Sequence, residues 1–429
     1  MVLVVFLLLA LSAGAGARAA TSSVWDSVPD SAAARPDTLS FSGVLTRIKL
    51  GSPALRAIPY RVTAATALVD QAGAWPNPAL LAEAENVNGG YSGLDQSEFS
   101  LWLAQEFELG GKRAKRVDQA ASAVDEAALE ASSESFAVYL DAKARYAAVV
   151  HAEERIRLAV EAEALVAHLA RAAGDRVRAG AALTADAALA DAALARTRLA
   201  IDTARAERTS ARVALSALWG QSTGFDEPVT SELPFVRSVL PTDSTQAWAA
   251  RSPSVARLRI ASAARRADAA LERSLRVPNF TLAAGARRVE ADDASTLLFA
   301  VGLPLPVWDR RSAATRAAEA RGRAAEIEVD AARASVASAL VARITTLAVL
   351  QDRLHKTQDI VAPALATALD NMRTAYAIGR VSYSDLLEAQ RALIALYNDA
   401  NDARLAIVDE TIAIERLTGR TLEELMGNE

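Results

Sequence analysis

Cysteine is absent from all 429 residues. That excludes disulfides, thiolate metal sites and a lipid-modified N-terminal Cys. Histidine and methionine are nearly absent too, with three of each. His151, His168 and His355 stand in no metal-ligand spacing such as HExxH, and Met1, Met372 and Met426 offer no thioether relay for soft metals. No metal site or cofactor is expected. Aromatics make up only 5% of the chain, and Gly (20) and Pro (14) are sparse. The abundant residue is Ala, with many Arg and Glu, a composition that favours long helices. The net charge of −5 is mild and gives no reason to expect nucleic acid. Gly110-Gly111-Lys112-Arg113 lacks the upstream Gly and following Ser or Thr of a phosphate loop. No nucleophile elbow appears either, so no enzymatic activity is expected.

Long apolar runs are also missing, apart from the start. Residues 2–11, VLVVFLLLAL, precede small residues and Ala17-Arg18-Ala19, which has the form of a cleavage site. Residues 1–20 therefore read as an export signal, although no Lys or Arg precedes the run. About ten apolar residues are too few to span a bilayer. No later stretch is expected to form a membrane helix. Residues 21–38, rich in Ser, Ala, Pro and Asp, read as an extended or loose segment.

The remainder reads as one order of elements written twice. A short helix is expected near 41–50. Ser52-Pro53 then marks the start of a second helix, with an N-cap followed by proline at the first helical position. It continues to about residue 74, where WPNP (75–78) stops it. Residues 80–87 form a weak strand, and Asn88-Gly89-Gly90 supplies a turn. Residues 96–109, QSEFSLWLAQEFEL, alternate: Phe99, Leu101, Leu103, Phe107 and Leu109 against Glu98, Ser100, Ala104, Glu106 and Glu108, with Trp102 and Gln105 breaking the pattern. This is a half-apolar strand. A helix follows from 112 to about 171, a break near 174–180, and a second long helix over 183–219. Residues 221–243 read as a linker. Then Ser252-Pro253 answers Ser52-Pro53, Val277-Pro278-Asn279 answers Trp75-Pro76-Asn77, strands are expected near 279–286 and 295–306, and helices over 312–374 and 383–418. The two repeats thus cover 39–220 (strands 79–109, helical hairpin 111–219) and 244–419 (strands 279–307, helical hairpin 310–418), leaving 420–429 as a tail.

The helix-to-helix turns repeat as well. Gly180 precedes Asp186 by six residues, and Gly379 precedes Asp385 by six. The two glycines lie about 200 positions apart, as in an internal duplication.

Four amphipathic strands per chain cannot close a membrane barrel, which needs at least about eight. A bilayer tolerates no open strand edges. Strands of about ten residues nonetheless have membrane-crossing length. Several chains donating four strands each to a shared barrel would satisfy both constraints; two would give eight strands and three twelve, with room for a channel. A helix of about 60 residues is a rod about 90 Å long. Such rods alone would also suit a periplasmic coiled-coil scaffold without a pore, but a scaffold needs no amphipathic strands.

Between residues 39 and 419 the chain resembles the TolC-like outer-membrane factor family, in particular its cation-efflux (CzcC/CusC-type) branch. The likeness rests on AGAWPNPAL (72–80), QEFELGGKR (105–113), GLPLPVWDRR (302–311), YAIGRVSYSDLLEAQRAL (376–393) and the duplicated order. The resemblance implies a mainly α fold with a membrane β-hairpin pair, forming a homotrimer with a 12-stranded outer-membrane β-barrel set in lipid and a long periplasmic α-helical barrel. It implies the exit duct of a tripartite export system, working with a periplasmic adaptor (membrane fusion) protein and an inner-membrane pump of RND type, and carrying heavy-metal cations. Drug efflux and type I protein secretion are the alternative cargoes. By the same resemblance the two turns lie at the periplasmic tip, with Arg178, Gly180, Ile378 and Gly379 as adaptor-docking positions. Asp186, Tyr376, Arg380, Asp385 and Glu388 match the periplasmic gate. Arg380 stands one residue earlier than the family's gate arginine, and Val381 occupies that place. Three copies of Asp385 and Glu388 around a narrow axis would attract cations.

Overall fold

The computed structural model describes residues 24–28, 38–87, 94–231 and 240–426. The expected export signal, the Asn88-Gly89-Gly90 turn and part of the 221–243 linker lie outside the described residues.

Each repeat begins with two helices hinged at a serine. Helix α1 (Phe41–Gly51) starts where Ser40 Oγ accepts from Gly43 N at 3.2 Å. Ser52 ends it and also caps α2 (Pro53–Ala72), whose Pro53 sits in the first turn, where it forfeits no hydrogen bond. The second repeat has the same joint. Helix α5 (Thr245–Arg251) meets α6 (Pro253–Ser274) at Ser252. The sequence reading missed α5, because seven residues are too few to show a period. Packing fixes it instead: Ala249 is fully buried, and Trp248 lies against the same core.

The strands β1 (Ala79–Glu85), β2 (Glu98–Phe107), β3 (Phe280–Val289) and β4 (Ala294–Gly302) form one antiparallel sheet in the order β1-β2-β3-β4. The two hairpins are thus joined by a β2–β3 ladder running from Glu98↔Val289 to Phe107↔Phe280. β4 stops at Gly302, short of the expected end at 306, because Pro304 and Pro306 have no N–H for a ladder. Cross-strand partners share a face, so the register divides the sheet into two surfaces. Leu80, Phe99, Leu101, Leu103, Leu282, Leu297, Phe299 and Val301 fall on one, and all are exposed. Glu83, Glu85, Glu98, Ser100, Glu106, Thr281, Arg287 and Thr296 fall on the other. Gln105 lies on the apolar face but at its end, where its amide donates to Pro76 O and Glu106 O at 3.0 and 2.8 Å.

From the sheet, α3 (Lys112–Arg178) runs unbroken for 67 residues, about 100 Å at 1.5 Å per residue. The break expected near 174–180 falls at the far end of that range, after Arg178, and Gly174 itself stays helical. A single glycine costs a helix about 1 kcal/mol, too little to interrupt one of this length. Helix α4 (Thr184–Ser216) returns beside it. In the second repeat, α7 (Ser312–Lys356) passes through a π-helical turn, Thr357–Val361, into α8 (Ala362–Ala377), and α9 (Tyr383–Thr418) returns.

Two further expectations change at the ends. Val24–Ser27 form a 3-10 turn within the segment read as loose, and Trp25 is buried with its indole N–H donating to Ser135 O at 3.0 Å. The expected tail contains α10 (Leu422–Met426), held by Leu422 N donating to Glu415 Oε1 at 3.0 Å. The helix over Ser312–Ala377 also contains an 18-residue window long and apolar enough to cross a membrane, contrary to expectation. Its hydropathy comes from many small Ala and Val residues rather than a solid apolar cylinder, and 28% of the window is buried within the protomer.

The core is divided along the rods. One cluster joins α1 to the middle of α3 around Ile48, Tyr146 and Leu215. Its counterpart joins α7 and α9 around Leu340, Ile344 and Ile407. A third packs the far ends of both helical hairpins together.

Candidate functional site

The far ends explain why glycine and aspartate recur at the same spacing. Helix α3 ends with Gly180 N bonded to Val177 O at 3.0 Å and Ala181 N to Arg176 O at 2.8 Å. Helix α8 ends with Gly379 N bonded to Tyr376 O at 3.0 Å and Arg380 N to Ala375 O at 2.9 Å. Both are left-handed C-terminal turns, with φ of +70° and +75° at the two glycines, a conformation that favours glycine. The aspartate then caps the next helix. Asp186 Oδ2 accepts from Leu183 N at 3.3 Å. Asp385 Oδ2 accepts from Ser382 N at 3.2 Å and Ser382 Oγ at 2.7 Å, while Ser382 Oγ accepts from Asp385 N at 3.1 Å. This reciprocal pairing is a full capping box. The Ser382 hydroxyl, and then its backbone N–H, hold the Asp385 carboxyl below its ordinary range.

The two turns meet within one protomer. Tyr376 and Tyr383 are both buried, with ring centroids 6.1 Å apart at 60°. Burial, the first cause, pushes the Tyr383 hydroxyl up, and that hydroxyl has no hydrogen-bond partner among the described residues. Asp186 and Asp191 of the other hairpin also act on it. Arg176 crosses from α3: Nη1 donates to Tyr376 O at 3.0 Å, Nη2 to Ala181 O at 3.4 Å, and the guanidinium carbon lies 4.8 Å from the Tyr376 ring centroid. Ile378, Arg380, Asp385 and Glu388 are exposed, and the Arg380 side chain makes no hydrogen bond or ion pair among the described residues. Arg178 pairs with Asp175 on its own helix. Tyr376 and Asp186 are therefore brought to the meeting point, whereas Arg380 and Glu388 face solvent. Arg176 was missed. Its one sequence signal is a basic residue in the last turn of a helix, where cations suit the terminal carbonyls.

Above the turns, α3, α4 and α9 line a groove of about 560 Å³. Gln390 lies in it, 1% exposed, with neither polar side-chain atom partnered. Arg155, Arg196 and Arg391 also line it. Among the described residues no group of three or more His, Cys, Asp or Glu could hold a metal ion.

At the opposite end, the polar face of the sheet carries an arginine between carboxylates. Arg287 bonds Ser100 Oγ at 2.9 Å, Glu98 at 2.7 Å and Glu85 at 3.0 Å. The protomer thus couples an apolar-faced sheet to a rod ending in two interlocked turns. The outer membrane efflux protein family model matches residues 44–221 and 245–420, most of the chain. The chain belongs to that family. As an outer membrane efflux protein it resides in the outer membrane and extends into the periplasm, and it serves efflux there. It is 28% identical over 317 residues to the cobalt-zinc-cadmium resistance protein CzcC of Cupriavidus metallidurans, covering 73% of this chain and 75% of that one. It is 29% identical over 310 residues to the nickel and cobalt resistance protein CnrC of the same species, covering 68% and 70%. Among solved structures, the fold matches CusC with a TM-score of 0.76 at 18% identity, covering 93% of this chain and 97% of that one. It matches VceC of Vibrio cholerae with 0.73 at 18%, covering 89% and 96%.

Proposed function

We propose that three copies of this chain form the exit duct of a tripartite pump that expels heavy-metal cations. The observation that carries this reading is the sheet: four strands, one exposed apolar face, and unpaired backbone edges at β1 and β4. Lipid forbids open edges. Because the strand number is even and every neighbour antiparallel, β4 of one copy can pair antiparallel with β1 of the next, and three copies make twelve strands. The apolar face then meets lipid and the face with Glu83, Glu85, Glu98 and Arg287 lines the lumen. The partly exposed apolar window of α7 would be covered by a neighbouring rod.

The cargo follows from the relatives named for cobalt, zinc, cadmium and nickel resistance. With no metal cluster among the described residues, selection belongs to the pump, an inner-membrane protein of RND type reached through a periplasmic adaptor. Arg178, Gly180, Ile378 and Gly379 lie at the exposed tip and would meet the adaptor. Asp186, Tyr376, Arg380, Asp385 and Glu388 would form the gate, with the exposed carboxylates of Asp385 and Glu388 facing the axis and favouring cations. The test combines two measurements. Outer-membrane extracts should yield trimers with stepwise bilayer conductance, and deletion of the gene should sensitise cells to cobalt, zinc, cadmium or nickel. Monomers without conductance would sink the duct; sensitivity to drugs alone would sink the metal cargo.

A further inference from the structure

The gate positions assigned by family likeness place their cation on the second turn, at Arg380. In the protomer that side chain is exposed and has no partner among the described residues. The cation that actually bridges the turns is Arg176, about 200 residues earlier in the duplicated chain. We propose that Arg176 is the tie that keeps the two turns of each protomer together and so keeps the entrance narrow. The proposal rests on the gated-duct reading and names the residue that regulates that gate.

Three contacts converge on one guanidinium. Its Nη1 donates to Tyr376 O, the carbonyl that also closes the Gly379 turn. Its Nη2 donates to Ala181 O, just past the Gly180 turn. Its face lies over the Tyr376 ring, itself set edge-on to Tyr383. The guanidinium reaches the two carbonyls through separate nitrogens while its carbon lies over the ring; an ammonium would have to make the same contacts from a single nitrogen. Tyr376 O lies in the last turn of α8, where partial negative charge gathers, and Ala181 O lies between the end of α3 and the start of α4. Swinging the second hairpin away from the first must break the Tyr376 contacts and leave the Ala181 bond behind. The tie uses the ring face and main chain of Tyr376, not its hydroxyl.

The experiment is single-channel conductance of the purified full-length protein in planar bilayers. Variants are Arg176→Ala, Arg176→Lys and Tyr376→Phe, with Arg171→Ala as control; Arg171 is exposed and, among the described residues, bonds only Ala167 O of its own helix. Trimer heat resistance is measured in parallel to confirm folding. Arg176→Ala is expected to raise conductance several-fold, with Arg176→Lys also raised and Arg171→Ala unchanged. Tyr376→Phe, which keeps both ring and carbonyl, is expected to raise it far less. A folded Arg176→Ala trimer conducting like the wild type overturns the tie and leaves the duct standing. Tyr376→Phe opening as far as Arg176→Ala assigns the tie to the hydroxyl and overturns it too. Absence of conductance in wild type and every variant overturns the duct reading and the tie together.

Discussion

Lys143 of α3 donates to both carboxylate oxygens of Glu415 on α9, at 2.8 and 2.9 Å, and the two side chains are 5% and 1% exposed. Glu415 also accepts Leu422 N, so one buried carboxylate joins the first repeat, the second repeat and the C-terminal helix. Burial, and then the Glu415 charge, raises the nearby Tyr139 hydroxyl well above its ordinary range. Removing one partner of a buried pair strands the other, at a cost of about 3–5 kcal/mol. Lys143→Met and Glu415→Leu should each lower thermal stability by that order. The double variant should recover much of the loss, since an apolar pair of similar volume is often neutral. A double-mutant cycle on thermal unfolding checks this, and additive losses would contradict it.

The sheet makes a sharper distinction between two glycines. Gly285 faces Trp102 across the β2–β3 ladder. A Cβ there would come within 2.6 Å of Leu101 O and 2.9 Å of the Trp102 ring. At Gly302 the nearest atom would be Thr281 Cβ at 3.8 Å. Gly285→Ala should reduce the yield of folded trimers in the outer membrane, and Gly302→Ala should not. On the apolar face, Phe299→Arg should cost about 2–4 kcal/mol if the residue lies near the bilayer midplane, whereas Thr296→Arg on the polar face should be tolerated. Equal assembly of these two variants would contradict the assignment of faces.

The parts of this fold that were legible in the sequence are those with local causes. Alternation at Phe99, Leu101 and Leu103 reveals a strand, and Ser52-Pro53 a helix start. The Gly-to-Asp spacing marked two equivalent turns before its cause was visible: the glycine closes one helix and the aspartate caps the next. What was illegible depends on contacts far apart in the chain. Nothing near Glu98 announces Val289 as its partner, and nothing near Lys143 announces Glu415. Arg176 belongs with these, because its neighbour Tyr376 has no counterpart in its own repeat, where Val177 stands at the matching position. Gly174 misled for the opposite reason: a local signal was real but too weak against its helix.

The two repeats differ most where α7 passes into α8. The π-helical turn Thr357–Val361 is followed two residues later by Pro363, while α3 is continuous over its whole length. A π turn and a proline each weaken the local hydrogen-bond ladder. The second hairpin should therefore flex here and the first should not. Amide hydrogen exchange should be faster across residues 352–364 than across the equivalent part of α3. Pro363→Ala, which restores a donor, should slow it. Equal protection in both repeats would argue against a hinge.

The capping box at Ser382 and Asp385 gives a pH dependence with a definite sign. Its hydrogen bonds from Ser382 hold the Asp385 carboxyl below the ordinary range. A group depressed in the folded state contributes stability above its unfolded value, about 3.9 for Asp, and loses it as pH falls through the lower folded value. The first turn of α9 should therefore stay capped at neutral and mildly acidic pH and loosen only below about pH 4. Amide exchange of residues 382–386, corrected for intrinsic pH dependence, should rise in that acid range in the wild type. Asp385→Asn keeps an acceptor for the Ser382 N–H but has no charge to lose, so it should abolish the rise. Ser382→Ala removes the N-cap acceptor and should loosen the turn at every pH, by about 0.5–2 kcal/mol. A transition near pH 6 in the wild type would point to another group, because neither the aspartate nor its serine partner titrates there.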